Sequence, residues 1–379
     1  MSGTAADARG GAPPGMTAAA PEAAAARALA LRLFGGMLAT QESFAAYLGV
    51  KLGLYQALHD GGPASAAELA NRAGLAPRYV REWLEQQAAA GLLTVDDPGR
   101  PFQARVYRLP AGYERVLTPS ADPMSLVWTA MLPLGGIAAA LPHLLAAFRT
   151  GDGLPADVFG DDWRQGHGGA NRAIYEHQLA GWLARHLPGL NQRLAREPAR
   201  IADVGCGAGW ASIALARAYP AAEVTGVDTD AEALAGARQR AADAGVAGRV
   251  NFRAADAASL RDAGGYDLVC VFDALHEMAH PVDVLRSCRA LRRPAGTVLV
   301  LEARVSDGFR APADEIERFQ YATSILHCLP AWLAGADAAG TGTVMRPADV
   351  LACARNAGFT AVRNYDVDDR FHQLYRLEG

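Results

Sequence analysis

The sequence predicts an α/β chain in two parts, a helical and winged-helix module followed by a doubly wound sheet of mainly parallel strands. Three stretches carry that prediction. From Arg200 to Asp228 an apolar strand ends at Val204, and glycines stand at 205, 207 and 209. Ala211 to Tyr219 then reads as a helix, and Val224 to Val227 as a second strand tipped by Asp228. Tyr266 to Phe272 and Thr297 to Leu301 are continuous apolar runs of the kind that lie buried in parallel sheets. Upstream, Ser65 to Leu109 reads as helix, turn, helix and two short strands.

Taken in order, residues 1–24 are mostly Ala, Gly, Pro and Thr with little to bury, so a disordered tail is expected. A first domain is expected over 25–120. In it, Ala25 to Leu58 carries Leu29, Leu33, Phe34, Phe44, Leu48 and Leu54 at helical spacing, which suggests two helices. That apolar content exceeds what one small domain hides, so a homodimer built through these helices is expected. Ser65-Ala-Ala-Glu68 is a capping box, and a second helix runs from Arg78 to Ala90. Leu92 to Val95 and Arg105 to Leu109 complete the wing. DNA binding is the ordinary use of such a module, but Arg78 and Arg81 are countered by Glu82 and Glu85, and the chain carries a formal charge of −4. No nucleic-acid partner is therefore expected.

Residues 121–164 read as a helical linker. Leu126 to Phe148 carries no charged residue and is long enough to span a membrane. Pro133, Gly135, Gly136 and Pro142 interrupt it, so two short buried helices at a domain junction or dimer interface are expected, and no membrane partner. The second domain is expected over 165–379, with a lid-like insertion at 302–344. Cys206, Cys270, Cys288, Cys328 and Cys353 are scattered with no Cys-x-x-Cys spacing, which fits reduced thiols in a cytoplasmic protein and gives no reason to expect a metal. The N-terminus lacks the basic region and apolar core of a secretion signal.

The glycine turn is where a ligand is expected. Glycines at alternate positions let the backbone approach it closely, the helix that follows aims free N–H groups at it, and Asp228 can accept both hydroxyls of a ribose. A dinucleotide site would have a third glycine where this chain has Trp210. The run Asp203-Val-Gly-Cys-Gly-Ala-Gly209 instead resembles motif I of the class I S-adenosylmethionine-dependent methyltransferases. The resemblance implies a Rossmann-like seven-stranded sheet and S-adenosyl-L-methionine as cofactor. It implies further that Asp203, Gly205, Gly207, Gly209, Asp228, Asp256, Ala257 and Phe272 surround that cofactor, Asp256 meeting the adenine amino group. Another nucleotide on the same sheet is the alternative.

Tyr47-Leu-Gly-Val-Lys-Leu-Gly-Leu-Tyr, Thr323-Ser-Ile-Leu-His-Cys-Leu-Pro and Gly340-Thr-Gly-Thr-Val-Met-Arg-Pro are similar to the actinobacterial methyltransferase family with an N-terminal winged-helix domain. His276 leaves the sheet rim after one predicted strand and Glu302 after its neighbour, so the two can meet over the methyl group. A histidine can take a phenol's proton while a carboxylate behind it fixes the tautomer. Plant-type small-molecule O-methyltransferases place a catalytic histidine and an acid similarly, which implies that His276 and Glu302 are catalytic here. A second acid expected before the penultimate helix is replaced by Thr343-Val-Met-Arg346.

Tyr175, Tyr321 and His327 are candidate acceptor-binding residues, and Glu277 reads as a solvated carboxylate at a helix start. The expected activity is methyl transfer to a hydroxyl of a small aromatic or natural-product-like molecule, as in secondary metabolism. Carbon or nitrogen acceptors, and a DNA-binding sensor of S-adenosylmethionine, are the alternatives.

Overall fold

Helical spacing of apolar residues builds the first of two units, Met1–Glu114. In this computed structural model, which describes residues 16–120, 122–262, 264–334, 342 and 344–379, one helix spans Met16–Lys51 and the next Leu54–Gly61. They part at Gly53, whose φ of 67° suits a residue without Cβ. The first helix begins inside the stretch expected to be a disordered tail. Its alanine-rich sequence carries enough helix propensity to extend past the apolar-patterned part. Residues 1–15 lie outside the described residues. Leu29, Leu31, Leu33, Phe34, Met37 and Leu38 are all exposed on this helix.

Ser65 caps the helix Ala66–Ala73, its Oγ accepting from the Glu68 N–H while Glu68 accepts from the Ser65 N–H at 2.8 Å. The helix Pro77–Ala89 follows, and then β1 (Thr94–Val95) and β2 (Tyr107–Arg108) pair antiparallel as the wing. Leu54, Leu69, Val80, Leu84, Leu93 and Tyr107 are buried here. The cations of the second helix and Arg105 of the wing are paired within the module: Arg78 with Glu82 at 2.5 Å, and Arg81 and Arg105 with Glu85 at 3.3 and 2.8 Å.

The second unit, Arg115–Gly379, is built on a seven-stranded sheet. Its strands are β3 (Ala199–Val204), β4 (Ala222–Asp228), β5 (Val250–Ala254), β6 (Tyr266–Phe272), β7 (Arg292–Ala303), β8 (Ala361–Tyr365) and β9 (His372–Glu378). The order is β5-β4-β3-β6-β7-β9-β8, with β3 to β7 parallel and β9 antiparallel to both β7 and β8. Two apolar layers cover its faces, one around Leu183, Ile213, Leu234 and Phe252, the other around Leu275, Leu285, Val350 and Phe359. The chain winds outward from β3 and returns to β6, so a crevice opens where the carboxyl ends of β3 and β6 lie side by side.

The expected pair of short buried helices over Leu126 to Phe148 is instead one helical run. Val127–Met131 passes through a π-helical stretch, Leu132–Ile137, into Ala138–Thr150. Pro133 has no N–H to give, and the wider π turn accommodates its ring without a break. Only part of the run is buried: Ala140 and Leu144 face inward, while Leu141, Leu145 and Phe148 are exposed. By length and composition this run and Pro21–Lys51 are each apolar enough to cross a membrane.

The helix Trp210–Ala218 is packed so tightly behind the glycine turn that Gly209 has no room for a side chain. A Cβ there would lie 2.8 Å from Ala237 and from the Phe252 ring, at a φ of 79°. Gly207, at φ 47°, has open space instead. Gly209→Ala should therefore cost about 2–4 kcal/mol, from strain and overpacking together. Gly207→Ala, with strain alone, should cost about 1 kcal/mol. Chemical denaturation of the two variants checks this, and equal losses would show that the contact with Phe252 relaxes freely.

Candidate functional site

The end of β3 delivers the chain into a turn in which Gly205, Gly207 and Gly209 all take left-handed φ values of 73°, 47° and 79°. The Gly205 and Cys206 amides both donate to the Val227 carbonyl, at 2.8 and 3.1 Å, which ties the turn to the end of β4. Asp228 extends that tie. One of its oxygens accepts from the Gly207 N–H at 2.7 Å and the other from the Asp230 N–H at 2.9 Å.

A cavity of about 920 Å³ lies above the turn. Gly205, Gly207, Asp228, Asp256 and Ala257 line it, as the sequence reading expects of cofactor residues. Asp256 also caps a short turn, accepting from the Ala258 N–H at 3.0 Å. The other three candidates lie elsewhere. Gly209 faces Phe252 and Ala237, and Phe272 is core, its ring stacked on Tyr175 at 6.1 Å. A strand's side chains alternate between faces, and Phe272, on the last residue of β6, points into the sheet layer rather than over its rim.

Asp203 lies beneath the turn, 1 % exposed, accepting from Ser212 Oγ at 2.6 Å. Burial pushes its carboxyl up to about 6; the Ser212 hydrogen bond opposes this and the Asp228 charge adds to it.

At the rim beyond β6, His276 and Glu302 meet as expected. His276 Nδ1 lies 2.7 Å from Glu302 Oε2, and the His276 backbone N–H donates to Glu302 Oε1 at 3.3 Å. The imidazole is 3 % exposed and the carboxylate 0 %. Burial alone would lower the imidazole's basicity, but the Glu302 charge, a hydrogen bond with Cys328 and the nearby Glu277 outweigh it and hold the His276 pKa well above the ordinary value.

The candidate acceptor residues do not reach the cavity wall. Tyr175 packs on Phe272. Tyr321 accepts from Arg346 Nη2 at 2.8 Å, within a cluster that includes Glu317 and Ser306. His327 is buried, stacked on Trp163 at 4.1 Å and edge-on to Phe159 at 4.7 Å, and burial lowers its pKa to about 4. Of the glycine-rich stretch Gly335 to Gly342 expected in the lid, residues 335–341 lie outside the described residues.

Other side chains line the cavity instead. Trp163, His167, Asp273 and Glu277 line the cavity, and the Trp163 and His167 rings stack at 4.7 Å. Their i, i+4 spacing on the helix Gly160–Ala170 was the available signal, because it puts both rings on one face. Glu277 is no solvated carboxylate. It stands 3.6 Å from His167 Nε2 and 3.8 Å from His276 Nε2, and its Oε1 is buried without a hydrogen-bond partner. Burial would raise its pKa, but His167 and then His276 and His327 hold it well below the usual carboxylate range. Asp273 is the one non-glycine residue with a positive φ, 51°, among the described residues, and it accepts from Asn171 Nδ2 at 2.5 Å. Strained backbone of this kind persists where the surroundings fix it, commonly at a site rim.

Comparison with known proteins fits this geometry. Residues 201–296 match the methyltransferase domain family, and residues 42–119 match the Rv2258c-like winged HTH domain family. The ubiquinone biosynthesis O-methyltransferase of Bordetella avium is 32 % identical over 187 residues, which cover 48 % of this chain and 70 % of that protein. The trans-aconitate 2-methyltransferase of Streptomyces avermitilis is 36 % identical over 125 residues, but the match spans only 45 % of its length and 33 % of this chain.

Among solved structures, a Nostoc punctiforme protein described as a candidate O-methyltransferase superposes with a TM-score of 0.67 at 23 % identity, over 92 % of this chain and 98 % of its own. Human N-acetylserotonin methyltransferase, solved with S-adenosylmethionine, superposes with a TM-score of 0.68 at 18 % identity, over 92 % of this chain and 98 % of its own. Both likenesses concern the fold.

The buried Asp203 gives a pH test of this packing. Its folded pKa of about 6 lies above the ordinary 3.8, so the folded state holds the proton more tightly than the unfolded chain. Stability from this group is complete below pH about 4 and is lost as pH rises through 6, a loss on the order of 3 kcal/mol. Asp203→Asn keeps an acceptor for Ser212 without the charge. It should melt several degrees above the parent at pH 7.5 and converge with it near pH 4.5; parallel melting curves across that range would refute the assignment.

Proposed function

We infer that this chain, which belongs to the S-adenosylmethionine-dependent methyltransferases, transfers a methyl group to a hydroxyl of a small, aromatic or natural-product-like acceptor. The observation that carries the hydroxyl reading is the His276–Glu302 pair, buried beside the cofactor cavity and closed to 2.7 Å. The residues present fit S-adenosylmethionine. The left-handed glycines leave bare main chain beneath a cavity of suitable size, and Asp228 stands at the end of β4 with a free lone pair on each oxygen for ribose hydroxyls. Asp256 and Ala257 would hold the adenine end, and Gly205 and Gly207 the methionine end. When bound, this cofactor supplies an activated methyl on a sulfonium.

The protein's own task is then to align the acceptor and remove its proton. Glu302 keeps a proton on His276 Nδ1, which leaves the Nε2 lone pair to accept the proton from the acceptor O–H as the new O–CH₃ bond forms. Glu302 raises the basicity of that imidazole, so the form with a free Nε2 lone pair becomes populated as pH rises. Glu302 also offsets the charge that appears on the ring. Because His276 is almost fully covered, with Cys328 hydrogen-bonded to it, acceptor entry requires the π-helical turn Ser324–Cys328 to shift, as a lid would. Trp163 and His167 offer flat faces for an aromatic acceptor at the cavity mouth.

A second copy of this chain is the fitting cover for the exposed apolar helix Met16–Lys51. The sensor reading is not favoured, because Arg78, Arg81 and Arg105 already have carboxylate partners.

Calorimetry with S-adenosylhomocysteine tests the cofactor assignment. Asp228→Ala should weaken binding about a hundredfold through the loss of two charge-assisted hydrogen bonds; unchanged affinity would remove Asp228 from the site. Labelled donor incubated with the protein and an extract of small phenols should yield an O-methylated product. With that acceptor, His276→Gln should lower kcat about 10²- to 10⁴-fold while cofactor affinity stays near normal. Equal turnover would eliminate the base assignment, and a product methylated on carbon or nitrogen would eliminate the hydroxyl reading.

A further inference from the structure

We propose that His276, Glu277 and Cys328 form a binding site for a zinc ion at the inner end of the cavity. An imidazole nitrogen, a carboxylate oxygen and the thiol sulfur of these residues all lie within 4.8 Å of one another. Tetrahedral zinc, with bonds of about 2.0–2.3 Å, holds its ligands roughly 3.3–3.8 Å apart, so the three side chains need contract only slightly. Nitrogen, oxygen and sulfur together are the donor set that this borderline-soft ion accepts.

One observation favours a cation as the occupant: Glu277 Oε1 is buried with no hydrogen-bond partner. Leaving such an atom unpaired costs free energy that a metal bond would recover. His167 Nε2, 3.6 Å from the same Glu277 oxygen, offers a fourth donor. His167 and Glu277 also line the cavity, which gives an ion its route of entry. Behind the site, Glu302 on His276 Nδ1 fixes the tautomer and turns Nε2 outward, the outer-shell arrangement that metal-ligating histidines use.

Cysteine spacing gave no reason to expect this site, because Glu277 and Cys328 come from different loops and meet only in the fold. On binding, the Cys328 S–H proton leaves to solvent and a Zn–S bond forms, with no change of oxidation state. The ion also takes the Nε2 lone pair. On the proposed base role for His276, the zinc-loaded form is therefore inactive, and zinc acts as an inhibitor that competes with the acceptor.

Chelator-treated full-length protein, titrated with zinc against a chromophoric chelator and separately with cobalt(II), tests the site. One zinc per chain and a thiolate-to-cobalt charge-transfer band are expected. Cys328→Ser should abolish the band and weaken zinc at least about a hundredfold, and Glu277→Gln should weaken it about tenfold. Circular dichroism confirms that each variant is folded, and if one is not, the wild-type band decides alone. No band in the wild type, or wild-type zinc affinity in both folded variants, overturns the proposal. Neither readout needs a methyl acceptor, so an error in the acceptor assignment leaves this result standing.

Discussion

The Val227 carbonyl accepts from two successive amides, Gly205 and Cys206, and the next residue, Asp228, accepts from a third, Gly207. This clamp holds the glycine turn in a conformation that an unbraced glycine segment would leave, since glycine loses more backbone entropy on ordering than any other residue. The position of much else follows from it. The helix Trp210–Ala218 starts where the turn ends, and all six positions after Trp210, Ala211 to Ala216, are buried. The cavity floor is the same stretch of main chain. Asp228 thereby does two jobs that compete for nothing, because each of its oxygens uses one lone pair on the loop and presents another to the cavity.

Buried charge is arranged around that floor in two different ways. Asp203 is buried with the neutral Ser212 for a hydrogen-bond partner, and burial accordingly favours its neutral form. Glu302 and Glu317 are buried with cationic or ionisable partners instead. His276 stands against the first. Arg346 donates to the second at 2.9 Å, to Tyr321 at 2.8 Å and to the Ser306 carbonyl at 2.5 Å. Such a pair adds little net stability once its desolvation is counted, but breaking it is costly. The Arg346 cluster therefore pins the insertion at its start, at its first helix and at its return to the domain, and leaves the turn that carries His327 and Cys328 as the part free of that network.

Much of this was legible in the sequence, for identifiable reasons. Strand-turn-helix order, the capping box and the acid at the end of β4 are local patterns, so Gly205, Gly207, Asp228 and Asp256 could be placed beside the cavity from residue type and spacing. The His276–Glu302 contact was legible because parallel strands deliver their following loops to one rim. The acceptor residues were not. Tyr175, Tyr321 and His327 are aromatic residues in the right segments, but whether a ring faces a cavity or a core depends on helix phase. The break at Gln178 and the π turn Ser324–Cys328 change that phase without any composition signal. Glu277 was misread for a related cause: a carboxylate at a short turn is ordinarily solvated, and only the fold shows three imidazoles gathered around this one.

The covered state of His276 has a physical logic of its own. A sulfonium donor beside an exposed imidazole and open water would lose selectivity, since water and the base would reach the methyl group as readily as an acceptor. Here the imidazole is nearly sealed, with Glu302 on one nitrogen and Cys328 and Glu277 near the other. On the proposed base role, a methyl acceptor would have to displace those contacts, and binding energy from its remote parts would open the imidazole. A small phenol with no such parts would fit the chemistry and still fail to move the turn. On that proposed role, selectivity would reside less in the His276–Glu302 pair than in the short π-helical stretch Ser324–Cys328, whose packing would decide whether the Nε2 lone pair meets a substrate or a thiol.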